Sequence, residues 1–152
     1  MTRYDGGPAE SPGFLLWHVT LRWQRAVTAA LAPLDLTHVQ FVLLACTWWL
    51  TEEGHTPNQQ DLATQAGTDI KMTSQVLKTL ETKGLLERRP SPTDARAKTV
   101  HPTPTGKSLA RQAITAVEAT DQAFFAPINT QTLLTTLTKL THAESPSTLS
   151  RG

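Results

Sequence analysis

Cysteine and long apolar runs are nearly absent from this sequence of 152 residues. The single thiol, Cys46, excludes an intrachain disulfide framework and leaves too few ligands for a cysteine-rich zinc site. The longest apolar run, from Val39 to Leu50, is interrupted by Thr47 and is shorter than the roughly 18 residues that a membrane span needs. Residues 1–13 lack the basic and then apolar layout of a secretion signal, so we expect a cytoplasmic protein with no membrane partner.

Recognisable catalytic and metal-binding motifs are also missing. None of the histidines has a second histidine four residues away or clustered acids beside it, which argues against a zinc site. There is no glycine-rich phosphate loop, nucleophile motif or compact set of carboxylates. We therefore expect neither an enzyme nor a protein with a metal or cofactor. Cys46 lies in an apolar stretch, where we expect a raised pKa and an inert core thiol.

Charge is scarce, and it is unevenly distributed. Charged residues make up 18% of the chain and hydrophobic ones 39%, which is compatible with one folded domain, expected over residues 14–143. The overall net charge is +1, but residues 68–111 carry +5 and the remainder carries −4. A basic segment in a nearly neutral protein indicates a surface for a polyanion such as DNA. A solvated face of mixed charges would give the same count.

Along most of the sequence, apolar residues recur at the spacing of a helix. Apolar residues at helical spacing predict a first helix from Phe14 to Leu31, ending before Pro33. A capping box of Thr37 and Gln40 predicts a second, buried helix to about residue 51. Residues 1–13 hold three glycines, two prolines and little apolar surface, so we expect a disordered arm there. We also expect a flexible tail over residues 144–152.

Two further helices are predicted on either side of a tight glycine turn. Asn58 can cap a short third helix over Gln59–Ala66, which Gly67 terminates. Thr68 or Asp69 can cap a fourth helix that runs to Lys83, before Gly84. Its expected inner face is Met72, Val76, Leu77 and Leu80.

An exposed hairpin and two more helices complete the expected order. Residues 85–89 and 98–101 are predicted strands, and the proline-containing loop between them is an expected hairpin tip. A long helix follows Thr105, and a last helix capped by Asn129 carries four leucines. The order of elements predicts a mainly α fold, a winged helix-turn-helix with a small β-hairpin wing and dimerisation helices at its N- and C-terminal ends.

Three motifs occur in sequence at a characteristic spacing: Leu80-Glu81-Thr82-Lys83-Gly84-Leu85-Leu86-Glu87-Arg88-Arg89, Asp94-Ala95-Arg96-Ala97-Lys98, and Thr103-Pro104-Thr105-Gly106. Together they resemble the recognition-helix end, the wing and the entry to the next helix in the multiple-antibiotic-resistance regulator (MarR) family. The resemblance covers about residues 14–140 and implies a DNA-binding lobe over about residues 56–103. Pro102 departs from the family pattern and puts the length of the last strand in question, because proline cannot donate to the ladder.

The fourth helix would lie in the major groove, where residues on its outer face and N-terminal half can reach base edges. Gln75 carries the donor and acceptor that can read adenine. The resemblance implies that Arg96 enters the minor groove and that Asp94 is its partner acid, while Arg88, Arg89 and Lys98 flank the hairpin as phosphate contacts. The other interpretation of the helix residues is a solvated polar face. The candidate helix residues are Lys71, Thr73, Ser74, Gln75 and Lys78.

The terminal helices, about residues 14–31 and 105–142, carry more apolar surface than a monomer can cover. The resemblance implies a two-fold homodimer that reads a near-palindromic operator, and a small, often phenolic or aromatic ligand bound beside the dimer helices. We expect a repressor of neighbouring genes released by such a ligand; the alternative is a winged-helix protein-interaction module without DNA binding. Each candidate ligand contact could instead be a core residue. The candidates are Trp17, His18, Trp23, His38, Trp48 and Trp49.

Overall fold

The computed structural model describes residues 3–94 and 96–143. The regular elements of these residues are helices, apart from one two-stranded antiparallel sheet between the fourth and fifth α-helices. The elements are α1 (Pro12–Leu31), α2 (His38–Glu52), α3 (Gln59–Ala66), α4 (Ile70–Thr82), β1 (Leu86–Pro90), β2 (Lys98–Pro102), α5 (Pro104–Phe124) and α6 (Thr130–Thr141). This is the predicted mainly α winged helix-turn-helix.

The core lies where α2 meets α1, α4, β2 and α5. Leu43 and Leu44 of α2 are completely buried, as are Leu77 and Leu80 of α4. The second half of α1 packs along α5 through the buried Val27 and other residues of the same cluster. By contrast, no residue of α6 is buried within the part of the chain that the structure describes. The segment from α3 to β2 and the inner halves of α1 and α5 therefore share one core with α2, which α6 does not enter.

The N-terminal segment differs from the expected disordered arm. Gly7–Glu10 form a 3-10 helix, and α1 begins at Pro12 rather than at Phe14. Proline suits a first helical position because its missing N–H would have no partner there. The Ser11 hydroxyl accepts a hydrogen bond from the Phe14 N–H at 3.2 Å and caps the helix. The predicted flexible tail lies outside the described residues.

The helix-turn-helix forms as the capping signals predicted. The capping boxes of Thr37 with Gln40 and of Asn58 with Asp61 are both present. Gly67 ends α3 in the left-handed region, at φ 68°, where a side chain would be strained. The expected inner face of α4 needs one correction. Met72 is exposed, because the buried stripe of this helix is formed by Thr73, Leu77 and Leu80.

The wing is a hairpin in which Arg88 pairs with Val100 and Leu86 pairs with Pro102. The last strand extends to Pro102, so the departure at this position does not shorten it. Val100 donates a hydrogen bond to the Pro57 carbonyl at 2.8 Å, and Thr99 forms an isolated bridge with Asn58. The wing base is thereby fixed to the segment that leads into α3.

The threonine-glycine motif anchors the wing to α5. The Thr103 hydroxyl donates to the Gly84 carbonyl at 2.6 Å and accepts from the Gly106 N–H at 3.0 Å. Gly106 approaches the backbone so closely that a Cβ atom there would lie 1.9 Å from the Leu85 carbonyl oxygen. The start of α5 can therefore pack against the segment that joins α4 to β1 only because this position has no side chain.

Helix length and hydropathy bear on membrane crossing. Over the residues described, no single helix is long and apolar enough to cross a membrane, and only the bent pair Pro12–Leu34 with His38–Glu52, at 74°, meets both requirements.

Gly106→Ala should lower the free energy of unfolding by about 2 kcal/mol or more, since overpacking outweighs the helix propensity of about 1 kcal/mol that alanine gains. Gly13→Ala is the matched control, because Gly13 is also helical and a Cβ atom added there would have no neighbour within 4 Å. Urea unfolding of both variants measures the difference. Equal stability of the two alanine variants would contradict the close approach.

Candidate nucleic-acid interface

The outer face of α4 carries several of the residues predicted to contact DNA bases. Lys71, Gln75 and Lys78 are exposed, and Ser74 is half-buried. The three exposed residues lie away from the buried stripe, because each is two residues from one of its members and so points about 200° around the helix from it. The start of this face is fixed by Asp69, whose carboxylate accepts a hydrogen bond from the Met72 N–H at 2.9 Å.

Thr73 does not belong to this face, which corrects the prediction. Its side chain is 0% exposed. Its hydroxyl donates to the Asp69 carbonyl at 2.8 Å and lies 2.7 Å from the Thr68 hydroxyl. Sequence alone suggested a polar contact residue, but a threonine can satisfy its hydroxyl within its own helix and so occupy the inner stripe. It cannot reach a base from there.

Two exposed residues of the same helix escaped the sequence prediction. Ile70 is 43% exposed and Met72 is 41% exposed, both in the first turn of α4. Apolar residues at helical spacing are usually assigned to the core, which explains why Met72 was expected inside. Knowledge of which side of α4 is buried would have shown that Ile70 and Met72 lie outside the buried stripe.

At the wing, Asp94 shapes the turn that presents Arg96. The Asp94 carboxylate accepts from the Arg96 backbone N–H at 2.9 Å, and its carbonyl accepts from the Ala97 N–H at 3.1 Å. Ser91 closes the loop by donating its N–H to the Ala97 carbonyl at 3.0 Å. Asp94 therefore holds the backbone of Arg96, as an Asx turn does, and the arginine side chain is exposed.

The two arginines of β1 have different surroundings. Arg88 has a side chain only 20% exposed, and its Nε and backbone N–H both donate to the Glu81 carboxylate, at 3.0 and 3.2 Å. These hydrogen bonds lower the pKa of Glu81 below its ordinary value of 4.5. Arg88 thus fastens the wing to α4, and its phosphate contact stays a prediction. Arg89 pairs with Glu87 at 3.3 Å and is half-exposed, and Lys98 is exposed.

A groove of about 360 Å³ connects these elements. On one side lie the first residues of α3 and α4, and on the other the cationic side chains of the wing. Helix N-termini carry partial positive charge and unpaired N–H groups, so both sides favour an anion such as a phosphate. The lining residues are Asn58, Gln59, Gln60, Ile70, Arg88, Arg96, Ala97 and Lys98.

Comparison with known proteins identifies the family. The MarR family profile matches residues 36–98. The HTH-type transcriptional regulator YdcH of Bacillus subtilis is 48% identical over 120 residues, which are 79% of this chain and 82% of YdcH. This chain belongs to the MarR family.

Other related proteins agree in sequence and fold. The HTH-type transcriptional repressor Rv2887 of Mycobacterium tuberculosis is 31% identical over 114 residues, 75% of this chain and 79% of that protein. The crystal structure of CouR from Rhodococcus jostii RHA1, bound to p-coumaroyl-CoA, superposes with a TM-score of 0.78 at 25% identity. It covers 91% of this chain and 97% of CouR. YdcH and Rv2887 are both named as transcriptional regulators.

The ligand candidates of this MarR protein are only partly brought together. Trp23 and His38 meet edge to face, with ring centroids 5.1 Å apart. The Trp23 Nε1 donates to the Asp121 carboxylate at 2.7 Å, so α1, α2 and α5 meet there. Burial lowers the pKa of His38, and the Asp121 carboxylate partly opposes that change. Asp121 was not predicted, because its partners are distant in sequence.

The other four candidates lie apart from this cluster. Trp17 is 61% exposed, and the His18 ring packs on Phe14 with centroids 4.5 Å apart. Trp49 is exposed on the outside of α2. Trp48 packs against the core, and its buried Nε1 has no hydrogen-bond partner among the described residues. The six aromatic side chains therefore do not line one shared cleft in a single protomer.

Cys46 has the environment that the sequence predicted. It is a half-buried residue of α2 that packs against the hydrophobic core. Burial raises the pKa of its thiol, which disfavours the reactive thiolate.

Glu81→Gln should lower the free energy of unfolding at pH 7 by at most about 1 kcal/mol, because the ion pair with Arg88 is partly exposed to solvent. The folded-state pKa of Glu81 is lowered, so its stabilisation is present above the unfolded-state pKa and is lost as the pH falls through the folded value. Denaturant unfolding should show the gap between wild type and variant closing below about pH 4.

Glu87→Gln is the control for this pair, since Glu87 lies on the same strand as Arg88 and its carboxylate bonds the half-exposed Arg89. It should change stability less than Glu81→Gln. A gap between wild type and Glu81→Gln that stays constant down to about pH 3 would contradict the role of the Arg88 pair.

Proposed function

We propose that this MarR-family protein is a dimeric repressor that binds a near-palindromic operator through α4 and the wing, and that a small molecule releases it. The observation that carries the proposal is the exposed face on which Lys71, Lys78, Arg96 and Lys98 accompany the starts of α3 and α4. Neutralising phosphates with such cations releases counterions, which drives binding to DNA.

The residues of this face suit different parts of a duplex. The N-terminal half of α4 would enter the major groove, where Gln75 could bond adenine through both its donor and its acceptor. Arg96, exposed on the turn that Asp94 holds, would enter the minor groove, whose negative potential favours a guanidinium. Arg89 and Lys98 would contact phosphates, which fixes register without reading sequence.

Dimerisation is supported by the apolar surface that one protomer leaves uncovered. The first turns of α1 expose large apolar side chains on every side, and α6 exposes three leucines. Monomers rarely expose large apolar patches, whereas a two-fold interface would cover these side chains. Two recognition helices about one DNA turn apart would then face a near-palindrome. The residues are Phe14, Leu15, Leu16, Trp17, Val19, Leu134, Leu137 and Leu140.

The release step is supported by the aromatic cluster beside the proposed dimer helices. Trp23, His38 and Asp121 lie where α1, α2 and α5 meet. CouR, which has the same fold, is described bound to p-coumaroyl-CoA, an aromatic acyl thioester. An aromatic ligand here would release DNA only if it binds more tightly to a dimer whose recognition helices are mis-spaced. Repression is supported by the name of Rv2887, a transcriptional repressor.

The decisive experiment is selection of binding sites from random-sequence DNA, followed by gel-shift titration of the selected duplex at several salt concentrations. A near-palindromic consensus and an affinity that falls steeply with salt are expected. No enriched sequence and a flat salt dependence would instead point to a protein-interaction module.

Gln75→Ala and Arg96→Ala should each weaken binding to the selected duplex by about 1–3 kcal/mol, because each removes a proposed base contact. Lys98→Ala should weaken binding to selected and unrelated DNA alike. Gln65→Ala is the matched control, since Gln65 is an exposed glutamine on α3 in a separate depression beside His55. If Gln75→Ala and Arg96→Ala bind like Gln65→Ala in gel shifts, these assignments are wrong.

Replacing Leu134 and Leu137 together by aspartate should convert the dimer to monomer and abolish tight operator binding, because buried charges oppose the interface. Thr135→Asp is the control, since Thr135 is exposed on the opposite side of α6. Sedimentation velocity at micromolar concentration measures the outcome. A wild-type monomer, or a double variant that stays dimeric, would refute the proposed interface.

A further inference from the structure

The first turn of α4 combines two exposed apolar side chains with a cationic surface. Ile70 is the first residue of the helix and Met72 the third, with Lys71 between them. Ile70 also lines the groove opposite Arg96 and Lys98. Isolated exposed hydrophobic residues are ordinary on protein surfaces, but these two lie on the helix that our proposed function inserts into DNA.

Neither side chain is needed for the packing of α4. The helix is attached to the core by Thr73, Leu77 and Leu80, which are all buried. Its start is capped by the Asp69 carboxylate, whatever side chains follow. Folding therefore does not account for isoleucine and methionine at these two positions.

The surrounding charges indicate what would cover them. The cationic side chains on this face and the partial positive charge of the helix N-termini beside it complement the negative charge of a polyanion. The major groove of DNA offers one apolar group on its floor, the 5-methyl group of thymine, and apolar side chains are its usual contacts. A polar or charged partner protein would leave both side chains without a complementary group.

We propose that Ile70 and Met72 read thymine in the operator through its 5-methyl group. The inference rests on the proposed function, and it adds thymine to the adenine that Gln75 would read. Two residues apart on a helix, the side chains point about 200° apart, so they lie on opposite flanks of Lys71. They would therefore contact different base positions on either side of the helix axis.

Deoxyuridine tests this directly, because it differs from thymidine only by lacking the methyl group. The probe is the duplex that the wild-type protein selects from random DNA, remade with uracil at one symmetric pair of thymines at a time. Binding should weaken about fourfold for each contacted methyl group, from the ~0.8 kcal/mol that burial of one such group contributes. Uracil placed outside the selected site is the control and should change nothing.

Protein variants assign the effect to side chains. Ile70→Ser and Met72→Gln should each bind thymine and uracil duplexes equally at one position while keeping the preference at the other. Gln75→Ala should keep both preferences, although it binds more weakly. Circular dichroism and thermal unfolding of the Ile70 and Met72 variants should be like those of wild type, since both residues are exposed.

The outcomes separate this inference from the proposed function. If the wild type selects a clear operator but binds thymine and uracil versions alike, or selects a site without thymine, the inference is overturned and DNA binding stands. The inference also fails if the uracil effect persists unchanged in both variants, because the methyl group then acts through duplex shape. If no sequence is selected at all, both proposals fall together.

Discussion

The contact on which the arrangement of this MarR protein depends is the close approach of α5 to the segment that joins α4 to β1. Thr103 bonds the Gly84 carbonyl, and the missing Cβ of Gly106 lets the α5 backbone meet Leu85. Because the wing strands begin and end at this point, the same contact sets the positions of α4, β1, β2 and α5. A change there would move the reading helix and the wing together.

The charged side chains of α4 and the wing are divided between those that hold these elements together and those that face outward. Arg88 is bound to Glu81 and joins the wing to α4, while Arg96 and Lys98 remain exposed. A count of cations along the sequence treats these residues alike. Their surroundings show that one arginine holds the wing against α4, whereas the other cations face solvent.

A second set of contacts connects the recognition helix to the helices outside the lobe. The Lys83 ammonium, at the end of α4, bonds the Asp35 carbonyl and lies 3.3 Å from the Gln40 amide oxygen. Gln40 belongs to the capping box of α2, next to His38, which contacts Trp23. The aromatic cluster and the recognition helix thus share the first turn of α2 as a common neighbour. The aromatic cluster therefore lies close to the contacts that support α4.

Local signals in the sequence determined the elements of this fold. Capping boxes, glycine stops and apolar periodicity act through contacts within a few residues, so Thr37, Asn58 and Gly67 set helix ends that the structure confirms. The three family motifs likewise identified the MarR fold, and helical spacing identified Lys71 and Gln75 as outer positions of α4. Only the tertiary structure decided which side of α4 is buried, because that depends on where α2 lies. It placed Thr73 inside and Met72 outside, bound Arg88 to Glu81, and brought Asp121 to Trp23 across 98 residues. Sequence spacing cannot report such contacts, since they join side chains that meet only after the helices have packed.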